Sequence, residues 1–301
     1  MTAIGAEEKA AVMRVLDSGV LSGFLAGQPH GGPEVQALEA EWADYFGFRH
    51  AVAMNSATSC LIAACGAVDI GRGDEVIVPP LTMSATAAAC SFLGGYTTFC
   101  DIEPDYFCLD PGKLEITEDT VAIITVDLFG QASNPCLRDF DDLYIIQDAS
   151  QRPLPGGFGD IVVHSLNYHK HIHCGEGGMA CTNDDELAER LRLFRNHGEN
   201  AKEFHEFGFN FRMTEIEAAI AREQLKKLPA EIQRREALAQ SMVDLAPVRP
   251  GTRHAWYLFP HTTRIPDAFR YQKPLTHLSV FDADHCPVAE QVWESIWMTR
   301  P

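Results

Sequence analysis

The sequence predicts an α/β fold: a mainly parallel, seven-stranded sheet flanked by helices, followed by a small C-terminal domain. Two observations predict it. Short, continuously apolar segments recur between residues 51 and 181, and segments of helical periodicity separate them. Strands of that kind are buried on both faces, as in a parallel sheet with helices on either side. At 301 residues, with 46% apolar and 22% charged, the chain is also long enough to bury a large core.

Each element follows from local pattern. An amphipathic helix is predicted from Glu7 to Leu16, ending before Ser18-Gly19, and a glycine-rich stretch runs from Ser22 to Gly32. Pro33 opens a second helix whose Val35, Leu38, Trp42 and Tyr45 or Phe46 fall at helical spacing. Strand and helix then alternate: strand Ala51–Met54, helix Thr58–Ala67, strand Glu75–Val78, helix Ser84–Phe92, strand Tyr96–Phe99. Further strands are read at Val121–Val126, Tyr144–Ile146, Ile161–Ser165 and Gly178–Cys181. After Asp184 the pattern is helical through Leu187, Leu191 and Phe194, with Asp184-Asp185-Glu186 suited to a helix start. A helix is expected from Met213 to Leu228, with a break or kink at Pro229 before it resumes to Val243. The last strand is expected at Ala255–Phe259. Residues 1–228 are read as the large domain and 229–301 as a shortened small domain.

Charge narrows the function classes. Forty-two acids against 24 Lys plus Arg give a formal charge of -18, which disfavours nucleic acid and anionic membrane as partners. No segment reaches the roughly 20 apolar residues of a membrane span. Met1 to Glu8 has neither a basic region nor an apolar stretch, so no leader is expected. Cys60, Cys65, Cys90, Cys100, Cys108, Cys136, Cys174, Cys181 and Cys286 show no CxxC spacing. Scattered through apolar segments, they read as thiols of a reducing cytoplasm.

The chemistry concentrates around one lysine. Lys170 lies in Ser165-Leu166-Asn167-Tyr168-His169-Lys170, with Gly175-Glu176-Gly177-Gly178 after it, and Asp148-Ala149-Ser150-Gln151 closes an upstream apolar strand. A lysine amine forms a Schiff base with the aldehyde of pyridoxal 5'-phosphate, and an acid at a strand end keeps the pyridine nitrogen protonated. Asn55-Ser56-Ala57-Thr58, between a strand and a helix, offers helix-start amides as a phosphate cradle, and Ser165 offers a further hydroxyl. Gln151 is placed to donate to the cofactor's phenolic oxygen. His164, His169, His171 and His173 with Cys174 invite a metal reading, and on a strand the last three histidines share a face. No second ligand pair has zinc spacing, so no metal is expected.

On these motifs the chain resembles the DegT/DnrJ/EryC1/StrS sugar aminotransferases, pyridoxal phosphate enzymes of fold type I. The likeness runs from Ser18-Gly19 through Gly32-Pro33-Glu34-Val35, Asn55 to Thr58, Asp148 to Gln151 and Ser165 to Gly178. It extends through Arg195-Asn196-His197-Gly198 to Gly208-Phe209-Asn210-Phe211-Arg212-Met213. The resemblance implies that Lys170 is the Schiff-base residue, that Asp148 meets the pyridine nitrogen and that Gln151 approaches the phenolic oxygen. It implies phosphate binding by Ala57, Thr58 and Ser165, and by Asn210 in the neighbouring subunit of a homodimer. Two positions depart from the family pattern. Ala57 stands where glycine is common, and Met83, in Pro79-Pro80-Leu81-Thr82-Met83-Ser84, stands where an aromatic ring usually stacks on the cofactor. A thioether also packs well against an aromatic face.

The implied reaction moves an amino group from glutamate or glutamine to a nucleotide-linked keto sugar, through a pyridoxamine phosphate half reaction. Two other functions fit parts of the pattern. A related sugar-nucleotide dehydratase carries histidine in place of the lysine, and Lys170 argues against it. A non-catalytic, cofactor-binding partner or regulator fits the short C-terminal domain, and the Lys170, Asp148 and Gln151 set argues against that.

Overall fold

The alternation of apolar and helical segments produces a seven-stranded, mostly parallel sheet with helices against it, together with a two-stranded sheet near the C-terminus. The structure is a computed structural model and describes residues 3–24, 29–199, 207–278 and 286–301. Of the glycine-rich stretch read at Ser22 to Gly32, residues 25–28 lie outside the described residues. The elements in chain order are α1 Ala6–Ser18, α2 Pro33–Phe46, β1 His50–Met54, α3 Ala57–Ala67, β2 Glu75–Val78, α4 Ser84–Phe92 and β3 Tyr96–Phe99. They continue as β4 Thr120–Val126, β5 Tyr144–Asp148, β6 Ile161–Ser165, β7 Gly178–Thr182, α5 Asp185–Arg195 and α6 Glu215–Gln240. The last three are β8 Phe259–His261, α7 Pro287–Ser295 and β9 Trp297–Thr299. The strand order of the large sheet is β1-β7-β6-β5-β4-β2-β3.

The chain divides into two units. The first comprises Met1–Asp69 and Pro155–Glu231. Here β7 runs antiparallel to both β1 and β6, in a register that sets Met54 opposite Gly178 and Gly178 opposite Ser165. The ends of two strands and the start of a third are thereby level. α3 is apolar on every side and buries Cys60 through Ala67. Gly66 is required where α5 crosses it, because a Cβ there would lie 2.0 Å from the Phe194 ring. Asp184 caps α5 through the Glu186 and Leu187 amides, and Leu187, Leu191 and Phe194 face inward as their spacing predicts. α2 buries Val35, Leu38, Trp42 and Phe46. Trp42 donates its indole N–H to His164 Nδ1 at 3.3 Å, so that histidine sits in the core, away from any ligand cluster.

The second unit comprises Ile70–Leu154 and Ile232–Pro301. β3, β2, β4 and β5 are parallel, and their register sets Val126 beside Asp148. The expected strand at Ala255–Phe259 is not formed over most of that length; β8 begins only at Phe259. The reason is local. Trp256 has φ +53°, its N–H is taken by His254 Nδ1, and the Ala255, Tyr257 and Leu258 amides bond the carbonyls of Gly130 and Phe129. A backbone committed in this way to a turn has no ladder to join. Burial, with the Arg152 charge adding to it, depresses the His254 pKa to about 3, so the ring is neutral and accepts that amide. α6 continues through Pro229 as one 26-residue helix, so the proline does not break it. α7 and β9 follow no strong sequence signal.

Candidate active site

In the first unit the register of three strands builds a cradle. Ser165 ends β6, Gly178 begins β7, and the turn after Met54 leads into α3. The α3 start passes so close to β7 that a Cβ on Gly178 would lie 2.5 Å from the Ala57 nitrogen. Ser56 caps the helix, taking the Ser59 amide on its Oγ at 3.0 Å, while its carbonyl takes Cys60. The amides of Ala57 and Thr58 belong to the first turn and have no partner within the helix. Ala57 is half-buried and Thr58 exposed, so these donors border solvent, as an anion site at a helix N-terminus requires.

Between β6 and β7 the chain forms the lysine loop. Leu166 N–H bonds Gly177 O at 2.9 Å, Tyr168 N–H bonds Gly175 O at 2.8 Å, and Cys174 N–H bonds Leu166 O at 3.1 Å. Gly175, at φ +97°, makes the reversal with a backbone that side chains disfavour. Ser165 Oγ accepts from Asn167 N–H at 3.3 Å, and Asn167 Oδ1 accepts from His169 N–H at 3.1 Å. Lys170 is half-buried in the turn that results. The three loop histidines do not share a face: His169 is exposed, whereas His171 and His173 are buried. Among the described residues, no group of three or more His, Cys, Asp or Glu is arranged to hold a metal ion.

Asn210 belongs to a segment laid along the end of β1. Asn55 N–H bonds Phe211 O at 2.9 Å, and Asn55 Nδ2 reaches Asn210 O at 3.5 Å. Asn210 is thus beside the turn that precedes Ala57, and its residue is exposed.

In the second unit, Asp148 is 5% exposed at the end of β5. Thr86 Oγ1 donates to its Oδ2 at 3.2 Å and Ser150 N–H to its Oδ1 at 3.1 Å. These two donors fix the orientation of the carboxyl group at the strand end. Thr86 lies in the first turn of α4, and Met83 is the N-cap of that helix. Met83 therefore belongs to the same helix start that touches Asp148, and it is 55% exposed. Gln151 is buried and held at both ends of its amide. Its Oε1 accepts from Phe129 N–H at 2.7 Å, and its Nε2 donates to Tyr271 Oη at 3.4 Å. Nε2 carries a second hydrogen, which leaves it a donor for a further acceptor.

Tyr271 was not singled out in the sequence. Its ring meets Phe129 edge-on at 5.0 Å, and burial, with the Asp148 charge adding to it, raises its pKa, so the phenol is neutral. The 271–275 segment is tied to the Met83 loop. Gln272 donates to Thr82 O, and Leu275 N–H donates to Pro80 O at 2.7 Å. The C-terminal segment thus supplies part of the surroundings of Gln151 and Met83.

The model of the DegT/DnrJ/EryC1/StrS aminotransferase family matches residues 2–265. The chain belongs to that family. It is an enzyme of the pyridoxal phosphate-dependent aminotransferase class. A dTDP-3-amino-3,4,6-trideoxy-alpha-D-glucose transaminase of Streptomyces venezuelae is 36% identical over 311 residues, covering 94% of this chain and 78% of the relative. The structure of Streptomyces venezuelae DesV in complex with a ketimine intermediate is 32% identical. It covers 98% of this chain and 89% of that one, with a TM-score of 0.90. NtdA of Bacillus subtilis, with bound cofactor PMP, is 25% identical and covers 99% of this chain and 78% of that one, with a TM-score of 0.83.

Proposed function

We propose that this chain transfers an amino group from glutamate or glutamine to a keto sugar linked to a nucleotide. The observation that carries the reading is the combination of family membership with the lysine loop, whose turn is closed by Gly175 and whose legs join β6 to β7. The Streptomyces venezuelae relative, named for a dTDP-linked amino sugar, supports the substrate class.

The residues present fit pyridoxal phosphate. The α3 amides approached by Gly178 suit a phosphate, and the Asp148 carboxyl, oriented by Thr86 and the Ser150 amide, suits a ring nitrogen as partner. When bound, the cofactor supplies an aldehyde for the amine and a ring that accepts electrons. Ala57, Thr58 and Ser165 would hold the phosphate. Asp148 would accept a hydrogen bond from the ring nitrogen, a charge-assisted contact of about 1.5–3 kcal/mol. Gln151 would donate its second Nε2 hydrogen to the phenolic oxygen, and Met83 would pack against the ring. Lys170 Nζ is the covalent attachment point. It takes the α proton of the amino-acid donor and, in the opposite half reaction, delivers a proton to the acceptor sugar carbon. Residues 1–228 form the cofactor-binding domain and 229–301 the small domain.

The working unit is a homodimer in which Asn210 completes the neighbour's phosphate site. The exposure of Asn210 beside the α3 turn supports this. The enzyme works in the cytoplasm; no helix among the described residues is long and apolar enough to cross a membrane, and all nine cysteines are thiols.

Borohydride reduction of the cofactor-loaded protein tests the central assignment. The expected result is loss of the visible absorbance band with an adduct at Lys170; an adduct at another residue overturns it. Half-reaction spectroscopy with glutamate and glutamine, followed by a panel of keto sugar nucleotides, tests the substrates. Mixing Lys170→Ala with Asn210→Ala subunits tests the dimer. Activity regained in the mixture supports shared sites, and a fully active monomer refutes them.

A further inference from the structure

We infer that Gln224 is a positioning residue for Lys170, acting through the His173 end of the lysine loop, and that Glu8 of α1 sets the direction in which Gln224 acts. The inference rests on Lys170 being the reacting amine; the loop contact stands without it.

The legs of the loop are tied to each other near β6 and β7 by the Leu166–Gly177 and Tyr168–Gly175 bonds. Beyond Lys170 the chain turns inward, and His171, Ile172 and His173 are buried. There the His173 N–H donates to Gln224 Oε1 at 3.3 Å. Gln224 stands on α6 and is 0% exposed.

A buried primary amide has two ends of opposite polarity and two orientations to choose between. Glu8 makes the choice. Gln224 Nε2 donates to Glu8 Oε1 at 2.7 Å and to Ala3 O at 3.4 Å. The Glu8 carboxylate is 0% exposed, and the Gly5 N–H donates to its Oε2 at 2.7 Å. Lys227 Nζ lies 2.5 Å from Oε1. An ionised carboxylate only accepts, so the amide nitrogen must face Glu8 and the amide oxygen must face the loop. The reversed amide would set one donor against the His173 N–H and an acceptor against an anion. A charge on the first helix thereby enforces an acceptor under the lysine loop.

The consequence for chemistry is placement. His173 is three residues from Lys170, and proton transfer is steep in distance; a displacement of about 1 Å can cost about a hundredfold in rate. An unanchored His173 amide lets the Lys170 backbone drift, while the donor-binding residues stay as they were.

Three variants test this: Gln224→Leu, Glu8→Gln, and the double exchange Glu8→Gln with Gln224→Glu. Amide hydrogen exchange over residues 167–176 is read first, in protein free of cofactor. The pH dependence of the visible band of the loaded protein is read next, then kcat and donor KM. Each single variant is expected to exchange faster in that loop and to shift the band's pH midpoint. Its kcat should fall about two- to tenfold at unchanged donor KM, the size of one hydrogen bond. The double exchange rebuilds an amide–carboxylate pair with an acceptor still facing His173, so it should return all three readouts toward the parent.

A lower melting temperature with unchanged loop exchange and an unchanged band overturns the inference, since Gln224 then serves the core alone. Faster loop exchange with an unmoved band and kcat overturns it too, because Lys170 is then placed independently. If Gln224→Leu does not fold, Glu8→Gln carries the test. Adduct mapping after borohydride distinguishes a wrong lysine from a wrong positioning residue.

Discussion

Glu215 closes the start of α2 in place of a local cap: its carboxylate accepts from Gly32 N–H at 3.1 Å, from a residue 183 positions earlier in the chain. The same carboxylate takes Glu34 N–H at 2.7 Å and Val35 N–H at 3.4 Å. These are amides that a Ser, Asp or Asn side chain serves at most helix starts. Gly32 has no side chain, and it has no room for one: a Cβ there would lie 2.6 Å from the Glu215 carboxyl carbon. Pro33 at the first helical position lacks an N–H and adds no unmet donor. Glu215 begins α6 shortly after Asn210, so the bond also anchors the chain that leaves the site.

Removing this cap should be costly. Glu215→Ala strands buried amides at the start of α2, and about 1–3 kcal/mol of stability is the expected loss. Gly32→Ala drives a methyl into the carboxylate and should cost about 1–3 kcal/mol by overpacking. Urea unfolding with an unchanged slope is the measurement. Glu215→Gln keeps one acceptor oxygen and should fall between parent and Glu215→Ala. Equal stability of all four proteins would mean that α2 is capped by other groups.

The sequence made the strands legible because short apolar runs recur between residues 51 and 181, and side-chain period and length do not depend on distant contacts. The placing of Asp148 at a strand end and of Lys170 in a turn between strands was legible for a different reason: each follows from a short motif that is local in the chain. Glu215 was not legible, since a cap supplied from 183 residues away leaves no local spacing. Tyr271 was hidden in the same manner. Its link to Gln151 spans 120 residues, and nothing in Arg270-Tyr271-Gln272 marks it. The misread strand at Ala255–Phe259 shows the converse. Five apolar or aromatic residues satisfy strand propensity, but the carbonyls of Phe129 and Gly130 claim their amides first.

Glu8 makes acid stability a test of the α1–α6 contact. Burial would raise its pKa, but hydrogen bonds from Lys227, Gly5 and Gln224 outweigh it and hold the group at about 2, below its ordinary 4.5. A depressed pKa means the folded state favours the anion. The stabilisation is therefore complete above about pH 4.5 and is lost as pH falls toward about 2. Glu8→Gln should be less stable than the parent at pH 7, and the difference should narrow over that acid range. Unfolding free energies measured at intervals from pH 7 to pH 2 check this; a constant difference would place the titration on other groups.

Tyr271→Phe removes the acceptor of Gln151 Nε2 and leaves the edge-on contact with Phe129 in place. The stability change should be small, about 0.5–1.5 kcal/mol. Gln151 would then be held at its oxygen end alone. The first half reaction with glutamate should slow about two- to tenfold, and the visible band of the bound cofactor should shift. An unchanged band would mean that Phe129 alone fixes Gln151.

Met83 gives the sharpest separation of binding from folding. A buried methionine would lose about 2–5 kcal/mol on truncation to alanine. At 55% exposed, at the N-cap of α4, Met83 has little to lose in the folded protein without cofactor. Met83→Ala should therefore leave cofactor-free stability within about 0.5 kcal/mol of the parent. If the thioether lies against the ring, cofactor affinity should fall about three- to tenfold, in line with a sulfur–aromatic contact of up to about 1.5 kcal/mol. Met83→Phe should hold that affinity or raise it, because a flat face replaces a flexible chain and aromatic pairs contribute about 0.5–1.5 kcal/mol beyond area burial. Cofactor titration of each variant, with urea unfolding in parallel, reads both quantities. Equal cofactor affinity in parent and Met83→Ala would move the ring away from α4, and a parallel loss of stability would show that Met83 packs where the single chain leaves it open.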